Sequence, residues 1–170
     1  MAGPALSSPL FHRDVLRRIV GDTLKAPQFP QALLDDVLRA DRDPDAPLPT
    51  LTDRDRFAIE EANKVLAMYR SAAEPKEPDE DKLYALKLQY TQAGCTILLR
   101  DLPGAQRILE MLARELRPRP QSTLSSSTEG MQLNAQVLGT LHWLNASQGH
   151  TRNAERYARW RDEVQSLLQK

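Results

Sequence analysis

The sequence predicts an all-α fold of six or seven helices, arranged as antiparallel pairs stacked in a repeat-like or irregular bundle. Three observations carry this. Apolar residues recur at three- and four-residue intervals along most of the 170-residue chain. No segment alternates apolar and polar residues as a half-buried strand would. Proline and polar clusters, rather than hairpin turns, separate the apolar-periodic segments.

The first helices lie within residues 8–73. Ser8 followed by Pro9 reads as an N-cap with proline at the first helical position, and Phe11, Val15, Leu16, Ile19, Val20 and Leu24 recur behind it at helical spacing. A short second helix after Pro30 carries Leu33, Leu34, Val37 and Leu38. It ends at "DRDPDAPLP", whose prolines remove backbone donors. A third begins near Thr52 and Asp53, with Ile59, Ala62, Val65, Leu66 and Tyr69 on one face. "AEPKEPDED" then reads as a charged connector with little reason to pack.

Residues 83–168 hold the rest. From Lys82 to Arg100, Leu83, Leu86, Tyr90, Ala93 and Ile97 form one stripe, and Tyr84, Leu88, Cys95 and Leu99 widen it. An apolar arc that wide suits a helix lying between two neighbours. "RDLPG" turns the chain into a helix with the stripe Ala105, Ile108, Leu109, Leu112 and Leu116. The Ser-, Thr- and Pro-rich residues 117–130 read as a flexible loop, and its stretch 122–128, or Ser8 before Pro9, could accept phosphate. Two final helices follow, over 131–147 and 151–169.

With 41% hydrophobic and 27% charged residues, the chain can bury one core, and a single domain over 1–170 is expected. Twenty-three basic and 23 acidic residues cancel, which argues against a dedicated nucleic-acid or membrane-surface binder. The charges are uneven: residues 35–81 hold 14 Asp/Glu against 7 Lys/Arg, whereas 100–170 hold 10 Lys/Arg against 7 Asp/Glu. The lone Cys95, the lack of a signal-peptide pattern and the lack of a long apolar run point to an intracellular setting, cytoplasmic or nuclear, with no membrane span.

No catalytic or cofactor motif is evident. His12, His142 and His150 are far apart, and there is no HExxH, CxxC, GxGxxG or GxxxxGK[ST] pattern. Cys95 sits mid-helix among apolar neighbours, where a thiol is inert. The expectation is a protein without catalytic activity, metal or cofactor.

The segments "LLRDLPGAQRIL" and "NASQGHTRNAERYA" share an outline: a helix, a tight polar turn, and an alanine (Ala105, Ala154) just inside the next helix. A small residue there lets antiparallel helices approach closely. These units, residues 83–117 and 134–168, resemble tetratricopeptide repeats. Ala93, Gly94, Ala105 and Pro118 match in the first unit; Leu138, Leu141 and Ala154 match in the second. The match departs at Gln89, Thr96, Asn145 and Ala158. The alanines lie 49 residues apart rather than the family's roughly 34.

The resemblance implies a groove formed by the first helices of the two units, lined by Tyr90, Gly94, Gln136, Gly139 and Trp143. These residues cannot make the cationic clamp with which some members hold chaperone tails. The function expected is a scaffold or adaptor subunit that binds a peptide or helix of a protein partner in that groove. Two rivals stand beside it. In one, the apolar arc of residues 83–99 mediates self-association. In the other, Arg152, Arg156, Arg159 and Arg161 on the last helix hold nucleic acid. Against the second, helical spacing puts Arg152, Arg156 and Arg159 opposite Tyr157, with Trp160 at the border and an ion pair expected between Glu155 and Arg159.

Overall fold

The computed structural model describes residues 9–72 and 77–170, with side chains from residue 13 onward. The expected cap at Ser8, the side chains of Phe11 and His12, and residues 73–76 of the charged connector lie outside the described residues. Within them the chain forms eight helices and no strand: α1 (Pro9–Lys25), α2 (Gln31–Val37), α3 (Asp53–Ser71), α4 (Asp79–Leu98), α5 (Leu102–Glu115), α6 (Thr123–Ser126), α7 (Thr128–Ser147) and α8 (Thr151–Leu168).

The helix ends follow local chemistry. Thr52 and Asp55 form a capping box at α3: the Thr52 hydroxyl accepts from the Asp55 amide, and the Asp55 carboxylate accepts from the Thr52 amide. Asp101 caps α5 by accepting from the Gly104 amide, with Pro103 in the first turn. α4 starts three residues earlier than the apolar periodicity predicts. Asp79, Glu80 and Asp81 occupy its first turn, where negative charge suits the helix dipole.

Packing runs α1 on α3, α3 on α4, α4 on α5, α5 on α7 and α7 on α8, with α2 laid against α4. α4 and α7 are the central helices. Cys95, Ile97 and Leu98 on α4 and Val137, Leu141, Trp143 and Leu144 on α7 are closed to solvent. The wide apolar arc of residues 83–99 is therefore spent inside the bundle.

Two loops differ from expectation. The Ser-rich segment is folded: Ser122 caps α6, Ser127 caps α7, and the buried Ser125 hydroxyl accepts from the Arg119 amide. Serines and threonines that look like loop composition serve here as caps. The charged connector also packs where it is described. Glu77 pairs with the buried Arg13 at 2.5 Å, and Asp81 pairs with Arg17 at 3.2 Å. Arg13 and Arg17 stack on Tyr69 and Tyr84, whose rings meet edge to face, so arginine–aromatic contacts tie α1 to α3 and α4.

The two C-terminal hairpins turn in the same way. Arg100 (φ 69°) and Gly149 (φ 77°) both take the left-handed conformation after a helix end. The amides of Asp101 and His150 then donate back to the carbonyls of Thr96 and Asn145. Ala105 and Ala154 follow at the same spacing and both are buried. No helix among the described residues is long and apolar enough to cross a membrane.

Candidate functional site

Tyr90, Gly94, Gly139 and Trp143, four of the five groove residues inferred from the sequence, line a groove between α4 and α7 that the chain itself occupies. The segment from α2 through residue 49 lies in it. A Cβ on Gly94 would stand 2.5 Å from Leu34 Cδ1, and one on Gly139 would stand 2.5 Å from the Cβ of Ala40. The Tyr90 hydroxyl donates to the Leu38 carbonyl at 2.6 Å and shares a hydrogen bond of 2.7 Å with the Thr140 hydroxyl. Burial pushes its pKa up to about 12. Trp143 is closed to solvent beneath the Arg42 guanidinium, 4.9 Å from its ring centroid.

Arg42 is itself buried and donates to the carbonyls of Ala46 and Pro47, while Arg100 donates to the carbonyl of Pro49. Gln136 alone of the five is exposed. Tyr90, Gly94, Gly139 and Trp143 thus serve as the seat of the chain's own segment. Sequence spacing locates the seat, but its occupant comes from a part of the chain that shows no repeat.

A second groove, which the chain itself does not fill, lies on the other side of α7. Leu138 and Asn134 of α7 form its floor, Glu110, Arg114 and Arg117 project from the α5 side, and α8 supplies the opposite wall from Arg156 to Leu167. It encloses about 660 Å³. The wall on α8 includes two of the large apolar side chains left exposed, Trp160 at 42% and Leu167 at 43%. Tyr157, buried beside them, meets Trp160 edge to face at 5.7 Å.

Three arginines and two carboxylates, Glu110 and Glu163, line this groove. Gln106 donates to Glu110 at 2.7 Å. Arg114, Arg117 and Arg156 form no ion pair among the described residues. Asn134 is 3% exposed; its Nδ2 donates to the Leu116 carbonyl, while its Oδ1 has no hydrogen-bond partner among the described residues.

The basic face expected on α8 is divided. Arg152 and Arg159 are exposed and lie outside the groove, and Arg161 is half-buried beside Asp162 at 3.7 Å. Arg156 is not segregated from the aromatics: its guanidinium lies 5.3 Å from the ring centroids of both Tyr157 and Trp160. Its long, flexible stem lets the head fold back over rings that helical spacing alone would place away from it. The expected ion pair between Glu155 and Arg159 does not form among the described residues.

The other candidates for chemistry lie within the helix packing. The Cys95 thiol is closed to solvent, and burial pushes its pKa up to about 12. His142 Nδ1 lies 2.9 Å from the Ala154 carbonyl, joining the two helices of the last hairpin. Among the described residues no group of three His, Cys, Asp or Glu side chains is placed to hold a metal ion. Asn145, within a glycosylation sequon, is buried and donates to the Leu141 carbonyl.

Arg114, Arg117 and Asn134 were not singled out from sequence. Arg114 and Arg117 recur at helical spacing beside the apolar stripe of α5, a pattern shared with any solvated helix edge. Comparison with family models, with curated proteins and with solved structures gave no match.

Proposed function

We propose that this chain is a non-catalytic protein-interaction module, an intracellular scaffold or adaptor subunit, that receives its partner in the groove between α5 and α8. One observation carries the reading: Trp160 and Leu167 stand exposed on the wall of a shaped depression whose floor is packed core. Exposed aromatic and aliphatic side chains beside a pocket are what protein interfaces use as anchors. The equivalent turns at Arg100 and Gly149 favour a helical-repeat architecture, tetratricopeptide-like over residues 83–168. The groove between α4 and α7 is filled by the chain's own residues, which supports the opposite side of α7 as the docking surface.

The test is affinity capture from lysate of the protein's own source, with nuclease, using the wild-type chain and a Trp160→Ala, Leu167→Ala double variant of unchanged circular dichroism. A stoichiometric protein retained by the wild type and lost by the double variant is expected. Equal recovery of the same partners by both chains removes this groove as the docking surface.

A further inference from the structure

We infer that the α5–α8 groove recognises an acidic peptide segment with an apolar anchor, donated by a partner protein. This deepens the interaction reading above and rests on it. Arg114, Arg117 and Arg156 bring three guanidiniums without ion-pair partners among the described residues. They stand against two carboxylates, Glu110 and Glu163, the first already engaged by Gln106. Guanidiniums hold carboxylates through paired, charge-assisted hydrogen bonds, and do so best beside a surface that excludes water.

That surface is present. Trp160, Leu167, Val164 and Leu138 offer an apolar seat between the charges, large enough for a few side chains.

Nucleic acid fits the groove less well. Glu110 and Glu163 would face a phosphate chain, and Trp160, the exposed aromatic of this groove, already carries Arg156 near its ring. Base recognition wants a stacking platform free of such cover. A second copy of this chain would have to bring its acidic middle to the groove, which makes self-association a distinct, measurable outcome.

The experiment selects a displayed library of random peptides against the full chain, and in parallel against an Arg114→Gln, Arg117→Gln variant and a Trp160→Ala variant. Single-stranded oligouridylate serves as a competitor, and light scattering reports the oligomeric state. The expected result is enrichment of peptides with Asp or Glu flanking Leu, Phe or Trp. Their affinity should fall about tenfold in the Arg114→Gln, Arg117→Gln variant and weaken steeply with salt. It should also fall in Trp160→Ala.

Enrichment of apolar peptides without acidic flanks, indifferent to the arginine changes but lost in Trp160→Ala, overturns the acidic specificity and leaves the interaction module standing. No enrichment at all overturns both. Displacement by oligouridylate at the arginines, or a dimer dispersed by the same substitutions, replaces the acidic peptide with those occupants.

Discussion

Gly139 of α7 and Ala40 of the segment after α2 meet so closely that a Cβ on the glycine would lie 2.5 Å from the Cβ of Ala40 and 2.9 Å from its Cα and carbonyl oxygen. Main chain cannot step aside as a side-chain tip can. Gly139→Ala is therefore expected to destabilise the protein by about 1–3 kcal/mol through overpacking, even after the helix-propensity gain of alanine over glycine. Gly94→Ala meets the ends of Leu34 and Leu38 instead. It should cost clearly less, which paired urea denaturation curves would resolve.

Tyr90 reads the same contact from the other side. Tyr90→Phe keeps the ring and removes the donor to Leu38, leaving that carbonyl short of a partner while the Thr140 hydroxyl keeps its bond to the Gln136 carbonyl. A loss of about 1–2 kcal/mol is expected. Amide exchange should rise first around residues 38–42 if this bond anchors the segment in its groove.

Alkaline pH should weaken the fold through two buried groups. The folded pKa values of Tyr90 and Cys95 are both raised to about 12, from ordinary values of 10.0 and 9.0, because burial penalises their anions. The unfolded chain therefore releases these protons first. Their contribution is complete below pH 9 and is lost as pH rises toward 12. Cys95→Ala should shallow the decline from its beginning, and Tyr90→Phe only above pH 10. A native-state thiol assay near pH 8 should leave Cys95 unmodified until denaturant is added.

Arg100 and Gly149 make a matched test of turn geometry. Both sit in the left-handed region, at φ 69° and 77°. Gly149→Ala puts a side chain where none is favoured and should cost about 1 kcal/mol. Arg100→Gly relieves a similar strain but gives up hydrogen bonds to the carbonyls of Leu98 and Pro49, so it should be near neutral. Arg100→Ala loses the bonds without relieving the strain and should be the worst of the three. Thermal melts of the variants rank them.

Arg13 is expected to be the most sensitive charged position. It is buried, pairs with Glu77, donates to the Tyr69 carbonyl and stacks on the Tyr69 ring. Arg13→Ala removes all three contacts and should cost about 3 kcal/mol. Arg17→Ala, on the solvent side of the same ladder, should cost under about 1 kcal/mol. Arg13→Lys should recover only part of the loss, because an ammonium cannot reproduce the planar stack.

The sequence by itself determined the longer helices, because periodicity, caps and proline breaks are local; the four-residue α6 and its serine cap lay in a segment that reads as loop. The Thr52 cap, the turn at "RDLPG" and the paired alanines Ala105 and Ala154 are each legible within a few residues. Helical spacing and one repeated turn place Tyr90, Gly94, Gly139 and Trp143 on the first helices of the two hairpins. Only the tertiary structure decided what covers them.

The occupant of their groove, residues 34–49, comes from more than forty positions upstream of Tyr90 at its nearest contacts. Its fit depends on two glycines and one buried arginine rather than on any motif. The α5–α8 groove was hidden for the same reason. Arg114, Arg117 and Arg156 look in sequence like ordinary solvated charges. They line one groove because α7 holds two helices apart and leaves Asn134 and Trp160 between them, and that spacing is a property of the packed core.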